Sequence, residues 1–455
     1  MRIRDYLLFL LAVLVAAGSG HRMQAQDATP FTLRDAVALS LDKSPDRKIA
    51  AAGTEAARSN SRLARTALLP NLGFSEDVTR GNDPVYVFGT RLRQQQFLQS
   101  DFALNSLNRP TPLGDFTTRF SGNWTAFDSW RTQLAIRRAD LLLKSSQASA
   151  SRSDQEILHR VVAGYEGVLF AAKHVDVAEH QVETADALLA SSKNRVEAGL
   201  AVDSDQLVAT ANLAEQQQEL IAAQGDLAIA WAELERAVGN SIPQEHRQLQ
   251  SQDEKRFDNP PVEEAVATAL HSRPDRESLR QQLLAQKADV QSAKSGFGPT
   301  IGAFGSWQTD RATFAGAGGN NWVAGAELRV DILPLAKREQ LSGARANLER
   351  TQAAGDSADL EIRLEVTRAW YAHRAAAQML DVARASRTQS DESLRILKDR
   401  YEAGLATITD LLRAEDAQRQ SAMNYWQAVS RNTLTFAELE FAMGTLTTAN
   451  IEGLE

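Results

Sequence analysis

The chain contains no cysteine. That excludes disulfides, thiolate metal sites, a cysteine nucleophile and a lipidated N-terminal cysteine. Aromatic residues supply only 6% of the sequence, while alanine, glutamine, glutamate, leucine and arginine are abundant. That mix favours long helices over a bulky globular core. Histidine is scarce too: of the 7 in the chain, His174 and His180 face different sides of a helix and make poor metal ligands. There is no His-Glu-x-x-His, no P-loop and no Gly-x-Ser-x-Gly elbow. The Gly-rich run Gly316–Gly319 falls in a loop between strands and not before a helix, so it is no phosphate cradle. Asn123-Trp124-Thr125 matches a glycosylation pattern by chance, inside a predicted strand. No catalysis, metal site or cofactor is expected.

Long apolar runs are also missing. The one candidate is N-terminal: Arg2 and Arg4 precede an apolar run, Tyr6–Ala17, and then small residues. That run is too short for a bilayer span, which needs about 20 residues, and it reads as a secretory signal over 1–25. Cleavage after Gly20 and after Ala25 both fit. Loss of Arg2, Arg4, Arg22 and Asp5 takes the formal charge from −8 to −10. A mildly acidic exported chain is a poor nucleic-acid binder. If the protein enters a membrane, it does so as strands.

What the chain does have is a duplication. Residues 195–239 and 400–444 align without a gap at an offset of 205, with 16 of 45 positions identical. Both copies carry Arg-x-Glu-Ala-Gly-Leu-Ala between two helical patterns. Upstream, residues 33–46 match 262–275 at an offset of 229, with six of 14 identical, and the register holds through Pro70/Pro299. The first half therefore carries about 24 extra residues, which fit the polar, Pro-containing stretch 81–115. The resulting division is a first repeat 26–239, a linker 240–261 with Pro243, Pro260 and Pro261, a second repeat 262–447 and a tail 448–455.

Each half has the same order. A short helix ends before Pro45 or Pro274, and a longer one runs to about 69 or 295. Pro70 or Pro299 stops it and opens a strand. A loop, a second strand and a helix of about 65 residues follow, then the Gly break and a helix of about 35. Alternation marks the strands: Phe116, Thr118, Phe120, Gly122, Trp124 and Ala126 share one face. Trp322, Ala324, Ala326, Leu328 and Val330 share another, with Val323 the apolar exception on the polar side. Leu72 and Phe74, and Ile301 to Trp307, mark the partner strands. Apolar-out, polar-in strands of about ten residues are the pattern of a lipid-exposed barrel. Leu213, Leu220, Leu227 and Leu234, with Ala223, Ala230 and Ala237, form a heptad seam for closely packed helices. A 65-residue helix at 1.5 Å per residue is roughly 100 Å long, too long for a compact domain.

Four strands cannot close a barrel, for which about eight is the minimum, and open edges in lipid are costly. Cyclic symmetry solves this: three copies give twelve strands. With its signal segment, two repeats, helix–Pro–strand junctions and paired Arg-x-Glu-Ala-Gly-Leu-Ala breaks, the chain resembles the TolC-like outer-membrane efflux proteins over about 30–447. The resemblance implies a mainly α fold of long antiparallel coiled-coil helices, with four strands per chain completing a trimeric twelve-stranded barrel. It implies a homotrimer in outer-membrane lipid that receives cargo from a periplasmic adaptor and an inner-membrane pump through a helical tunnel.

The same resemblance places two hairpin tips at the closed end of that tunnel. Arg195, Gly199 and Leu200, and Arg400, Gly404 and Leu405, would meet the adaptor. Asp410 and Tyr401 match gate positions, with Arg413 beside them; Asp205 is the first-half counterpart of Asp410 and lies near Asp203, while Val196 stands where the second half has Tyr401. Ala406 and Arg413 depart from the family pattern, so its closing network does not carry over. The plainer alternatives are an ordinary glycine C-cap for the tips and a dipole-favoured helix start for Asp410. For the whole chain the alternative is a soluble periplasmic coiled-coil scaffold or adaptor; an export-associated hydrolase lacks any motif.

Overall fold

Prolines and caps set the element boundaries. The computed structural model describes residues 30–244, 247–250, 254–451 and 453, so the signal segment 1–25 lies outside the described residues. The first half runs α1 (Leu33–Lys43), α2 (Pro45–Thr66), β1 (Asn71–Gly81), α3 (Pro84–Arg93), a 3₁₀ turn (Gln99–Phe102), α4 (Leu104–Asn108), β2 (Leu113–Phe127), α5 (Arg131–Glu197) and α6 (Asp203–Val238). The second runs α7 (Val262–Ser272), α8 (Pro274–Ser295), β3 (Thr300–Arg311), β4 (Gly318–Arg329), α9 (Leu335–Glu402), α10 (Ile408–Met443) and α11 (Thr448–Ile451). Thr32 caps α1 in a reciprocal box with Asp35. Pro45 and Pro274 occupy first helical positions, where a missing N–H costs nothing.

Three boundaries differ from the sequence reading. α2 ends at Thr66, not about 69, because Ala67, Leu68 and Leu69 bond back three residues and tighten the chain before Pro70. The stretch 81–115 is not a plain loop but carries α3 and α4. Gly318 and Gly319 belong to β4 and not to the preceding loop.

The chain divides into two compact units, and each takes segments from both halves. One comprises the described residues to Pro45, Gln155–Pro261 and Arg368 onward. Its core gathers Leu33, Val37, Ile157, Val161, Tyr165 and Leu234 around α1, α5 and α6. The heptad seam behaves as its pattern predicts: Ala223, Ala230 and Leu234 are buried and Leu213, Leu220 and Leu227 half-buried.

The other unit comprises Asp46–Asp154 and Val262–Thr367. It holds a four-stranded antiparallel sheet in the order β1-β2-β3-β4. A bulge after Thr125 sets Ala126 out of register, so Phe127 pairs with Ile301. The unit's helices are joined by polar side chains. Ser278 bonds both Ser145 and Ser149 at 2.9 Å, and Arg276 holds Asp359 through two bonds of 2.7 and 3.0 Å. Arg273, 5% exposed, bridges Asp275 at 2.7 Å and Glu365 at 2.6 Å.

Burial pushes the Asp275 carboxyl up, but the bonds and charge of Arg273, aided by Arg152, outweigh it and leave the group below its ordinary 3.8. The Arg276 hydrogen bond lowers Asp359 likewise. A depressed carboxylate contributes stability above the unfolded value, and that contribution is lost as pH falls through the folded one. The purified protein should therefore lose thermal stability progressively below pH 3.8. Arg273→Ala should cost about 2 kcal/mol at neutral pH by leaving Asp275 and Glu365 with only the longer Arg152 contacts, read by thermal or denaturant unfolding.

Candidate functional site: the exposed sheet face and the hairpin tips

Pairing registers put one side chain of each strand at every level of the sheet. Phe74, Phe120, Trp307 and Trp322 form one continuous row across all four strands. Ring centroids lie 5.1 Å apart for Phe74 and Phe120 and 5.9 Å for Phe120 and Trp307. Leu72, Trp124, Ile301 and Leu328 continue this face toward the helices, and all are exposed. Trp322 is 78% exposed. A contiguous exposed aromatic and aliphatic face of this kind marks a surface that meets something other than water. One level beyond the aromatic row the face turns polar, and Arg311 donates to Glu76 at 2.8 Å. The opposite face carries Ser75, Asp77, Ser121, Arg119, Ser306 and Asn321. β1 and β4 each have a single neighbour among the described residues, so the sheet has two unpaired edges.

Pro70 sits between α2 and β1, and Pro299 between α8 and β3. The return junction was not legible. Ser129 and Trp130 adopt φ of 58° and 71°, strained for non-glycine residues, between β2 and α5. The Ser129 hydroxyl donates to the Pro299 carbonyl at 2.7 Å, and Asp128 accepts the Thr132 amide at 2.8 Å, which hold the kink. No local sequence signal announces a left-handed serine and tryptophan.

At the far ends of the long helices, the paired breaks are Schellman turns. The Leu200 amide donates to Arg195 O at 2.8 Å and the Gly199 amide to Val196 O at 2.9 Å. Leu405 and Gly404 repeat this onto Arg400 and Tyr401 at 2.8 and 3.0 Å. Gly199 and Gly404 both have φ of 73°, which a side chain would strain. In such a turn the residue after glycine normally packs on the residue five before it. Here that residue is arginine, and Leu200 and Leu405 remain 72% and 69% exposed.

Both hairpins meet in one cluster: Leu188 of α5, Ala209 of α6, Tyr401 of α9, and Ile408 and Leu411 of α10. Arg195 reaches across from the first hairpin. Its guanidinium lies 5.0 Å from the Tyr401 ring centroid, and Nη1 donates to Tyr401 O at 3.3 Å. Burial raises the Tyr401 hydroxyl, with the Arg195 charge opposing. Glu415 is buried on α10, and its carboxyl is pushed up by burial against the pull of Lys398.

The two hairpins start their second helices differently. Thr407 caps α10: its hydroxyl donates to Asp410 Oδ2 at 2.6 Å, and its amide does so at 3.1 Å. Those bonds hold the Asp410 carboxyl below its ordinary range. Asp203 and Asp205 occupy the first turn of α6, but Val202 stands at the cap and offers no side-chain bond. Arg400 and Arg413 are exposed. The histidines are not brought together: His174 bonds Glu219 at 3.0 Å, whereas His180 faces Glu183 at 3.6 Å. No group of metal-ligating side chains occurs among the described residues, and no described helix is long and apolar enough to cross a membrane.

The profile of outer membrane efflux proteins matches residues 36–240 and 265–445. The chain belongs to that family. This bears out the resemblance read from the duplicated breaks and places the chain in the outer membrane. It is 26% identical over 439 residues to the alkaline protease secretion protein AprF of Pseudomonas aeruginosa, covering 94% of this chain and 87% of that one. It is 27% identical over 352 residues to the protein CyaE of Bordetella pertussis, covering 72% and 71%. Its fold is that of the CmeC outer membrane channel of Campylobacter jejuni, with a TM-score of 0.77, 18% identity and coverage of 93% and 89%. The mainly α fold with a strand contribution is thus the family's architecture.

Thr407→Ala should remove the second hairpin's capping box at a cost of about 1 kcal/mol. Amide exchange in the first turn of α10 should accelerate about fivefold while the first turn of α6, which has no such cap, stays unchanged.

Proposed function

We propose that the chain is the exit duct of a three-component export system and works as a homotrimer. The observation that carries this is the sheet: an apolar face exposed on one side and two unpaired edges. In lipid each unpaired backbone group costs several kcal/mol, so the edges need partner strands. Three copies supply a closed twelve-stranded barrel with the polar face inward. Four long helices per chain then extend the lumen into the periplasm. The exposed Leu200 and Leu405 stand ready for an adaptor's own tips, and the pump supplies the energy, since no catalytic constellation is legible in the chain. The likeness to a protease secretion protein along nearly the whole length favours a polypeptide cargo.

The gate reading places the moving part at the second hairpin. Arg195 and Tyr401 hold the two hairpins of one chain together, in place of the network that Ala406 and Arg413 interrupt. Three copies of Asp410 would ring the aperture and favour cations.

Purification in detergent with a mass measurement, followed by planar-bilayer recording, tests the duct. A trimer that conducts is expected. A monomer soluble without detergent and without conductance would instead support the coiled-coil scaffold. In the conducting protein, Arg195→Ala should raise conductance several-fold by freeing the second hairpin. Asp410→Ala should weaken block by divalent cations; unchanged block removes the aspartate from the gate.

A further inference from the structure

The connection between β1 and β2 is far larger than a hairpin requires. β3 and β4 are joined by residues 312–317 alone, whereas β1 and β2 are separated by 82–112. Those extra residues fold. Phe97 packs edge-on against Phe88 at 4.9 Å and Phe102 at 5.1 Å, and Asp101 accepts the Leu98 amide at 2.8 Å. The result is a small helical body around the half-buried Phe88 and Phe97, and its Tyr86 hydroxyl meets Thr79 of β1 at 3.0 Å.

This body is fastened to the polar face of the sheet, at the strand ends away from the long helices. Gln94 donates to Gly114 O at 3.0 Å and to Asp115 Oδ1 at 2.9 Å. The Thr117 hydroxyl lies 3.1 Å from Asp115 and 3.2 Å from Asp310, joining the two carboxylates. Gln308 and Asn321 donate to Asp310 at 2.9 and 3.0 Å, and Asn321 also bonds Arg93 O at 3.2 Å. Arg93 Nε approaches Asp310 to 3.8 Å. Asp115 and Asp310 are 1% and 0% exposed, which is exceptional for carboxylates on a sheet face that is otherwise open. The close approach is built in at Gly319, where a Cβ would collide with Arg93 O. An insertion that merely decorated the cell surface would need no buried polar anchor on this face.

We propose that residues 82–112 form an outer lid of the duct, latched to the lumen face through Gln94 and Arg93 on the Asp115–Thr117–Asp310 cluster. The inference rests on the duct reading, which makes the polar face the lumen wall. A helix with its side chains is about 10 Å across. Three such bodies on the inner rim of a twelve-stranded barrel leave little open cross-section. Export then requires the lid to swing outward, and the polar latch, unlike an apolar one, can exchange its bonds for water as it opens.

The test uses the absence of cysteine. Ser121 lies on the polar face, paired with Gly73 and Ser306 and below the lid. In intact cells carrying Ser121→Cys, a small maleimide and a polyethylene-glycol maleimide of several kilodaltons are added from outside. With the lid in place, the small reagent should label at least tenfold faster than the large one. Replacing 82–112 by the sequence of the 312–317 connection should bring the large reagent's rate up at least tenfold, and bridging Gln94→Cys to Asp115→Cys should keep it low until the bridge is reduced. Labelling by the large reagent that is equally fast with and without the insertion overturns the lid. No labelling by either reagent in the lid-replaced protein overturns the duct reading instead.

Discussion

A backbone amide or carbonyl without a partner is intolerable in hydrocarbon, and this constraint organises the molecule. The four strands pair with each other through β1-β2-β3-β4 and leave an edge on either side. Their outward side chains make water an unsuitable solvent, and their edges make lipid unsuitable for a lone chain. In the proposed trimer each edge becomes an internal pair. The helices follow from the same constraint. Pro70, Pro299 and the strained Ser129–Trp130 turn convert between helix and strand direction within a few residues, so that regular hydrogen-bonded structure resumes almost at once on either side.

Much of this was legible because periodicity is a long-range signal. The two-residue alternation of β2 and β4 gave the faces, and the duplicated Gly breaks gave the hairpins. Features decided by tertiary contact were not legible. The stretch 81–115 looks like a polar loop because its helices are short and its ring contacts are three phenylalanines spread over 88–102. Its anchor is a pair of aspartates far apart in sequence, Asp115 and Asp310, whose proximity depends on β2 pairing with β3. The left-handed Ser129 has no residue-type signature, in contrast to Gly199 and Gly404. Arg195 was recognisable as a tip residue, but its reach to Tyr401 required both hairpins to be in place.

The duplication also explains why the halves differ where they do. The tip turns are alike to 0.1 Å in their bonds, since the same Arg-x-Glu-Ala-Gly-Leu sequence closes both. Divergence lies at the helix start that follows: Thr407 caps one second helix, whereas Val202 stands uncapped at the other, although both carry the matching aspartate, Asp410 and Asp205. The connection between strands diverged further, one hairpin staying minimal and the other acquiring a folded body. Helical scaffolding is thus common to the halves, while the parts assigned to motion are individual.

The turns at the tips are closed by backbone hydrogen bonds and a left-handed glycine, to which Leu200 and Leu405 lend their amides but not their exposed side chains. These two leucine side chains, unlike Arg195, are therefore uncoupled from the stability of the hairpins that display them. Such a surface can be rewritten by single substitutions without endangering the fold. In the proposed duct, one periplasmic adaptor could in this way be exchanged for another through neutral intermediates, and the same decoupling opens the tips to deliberate re-targeting.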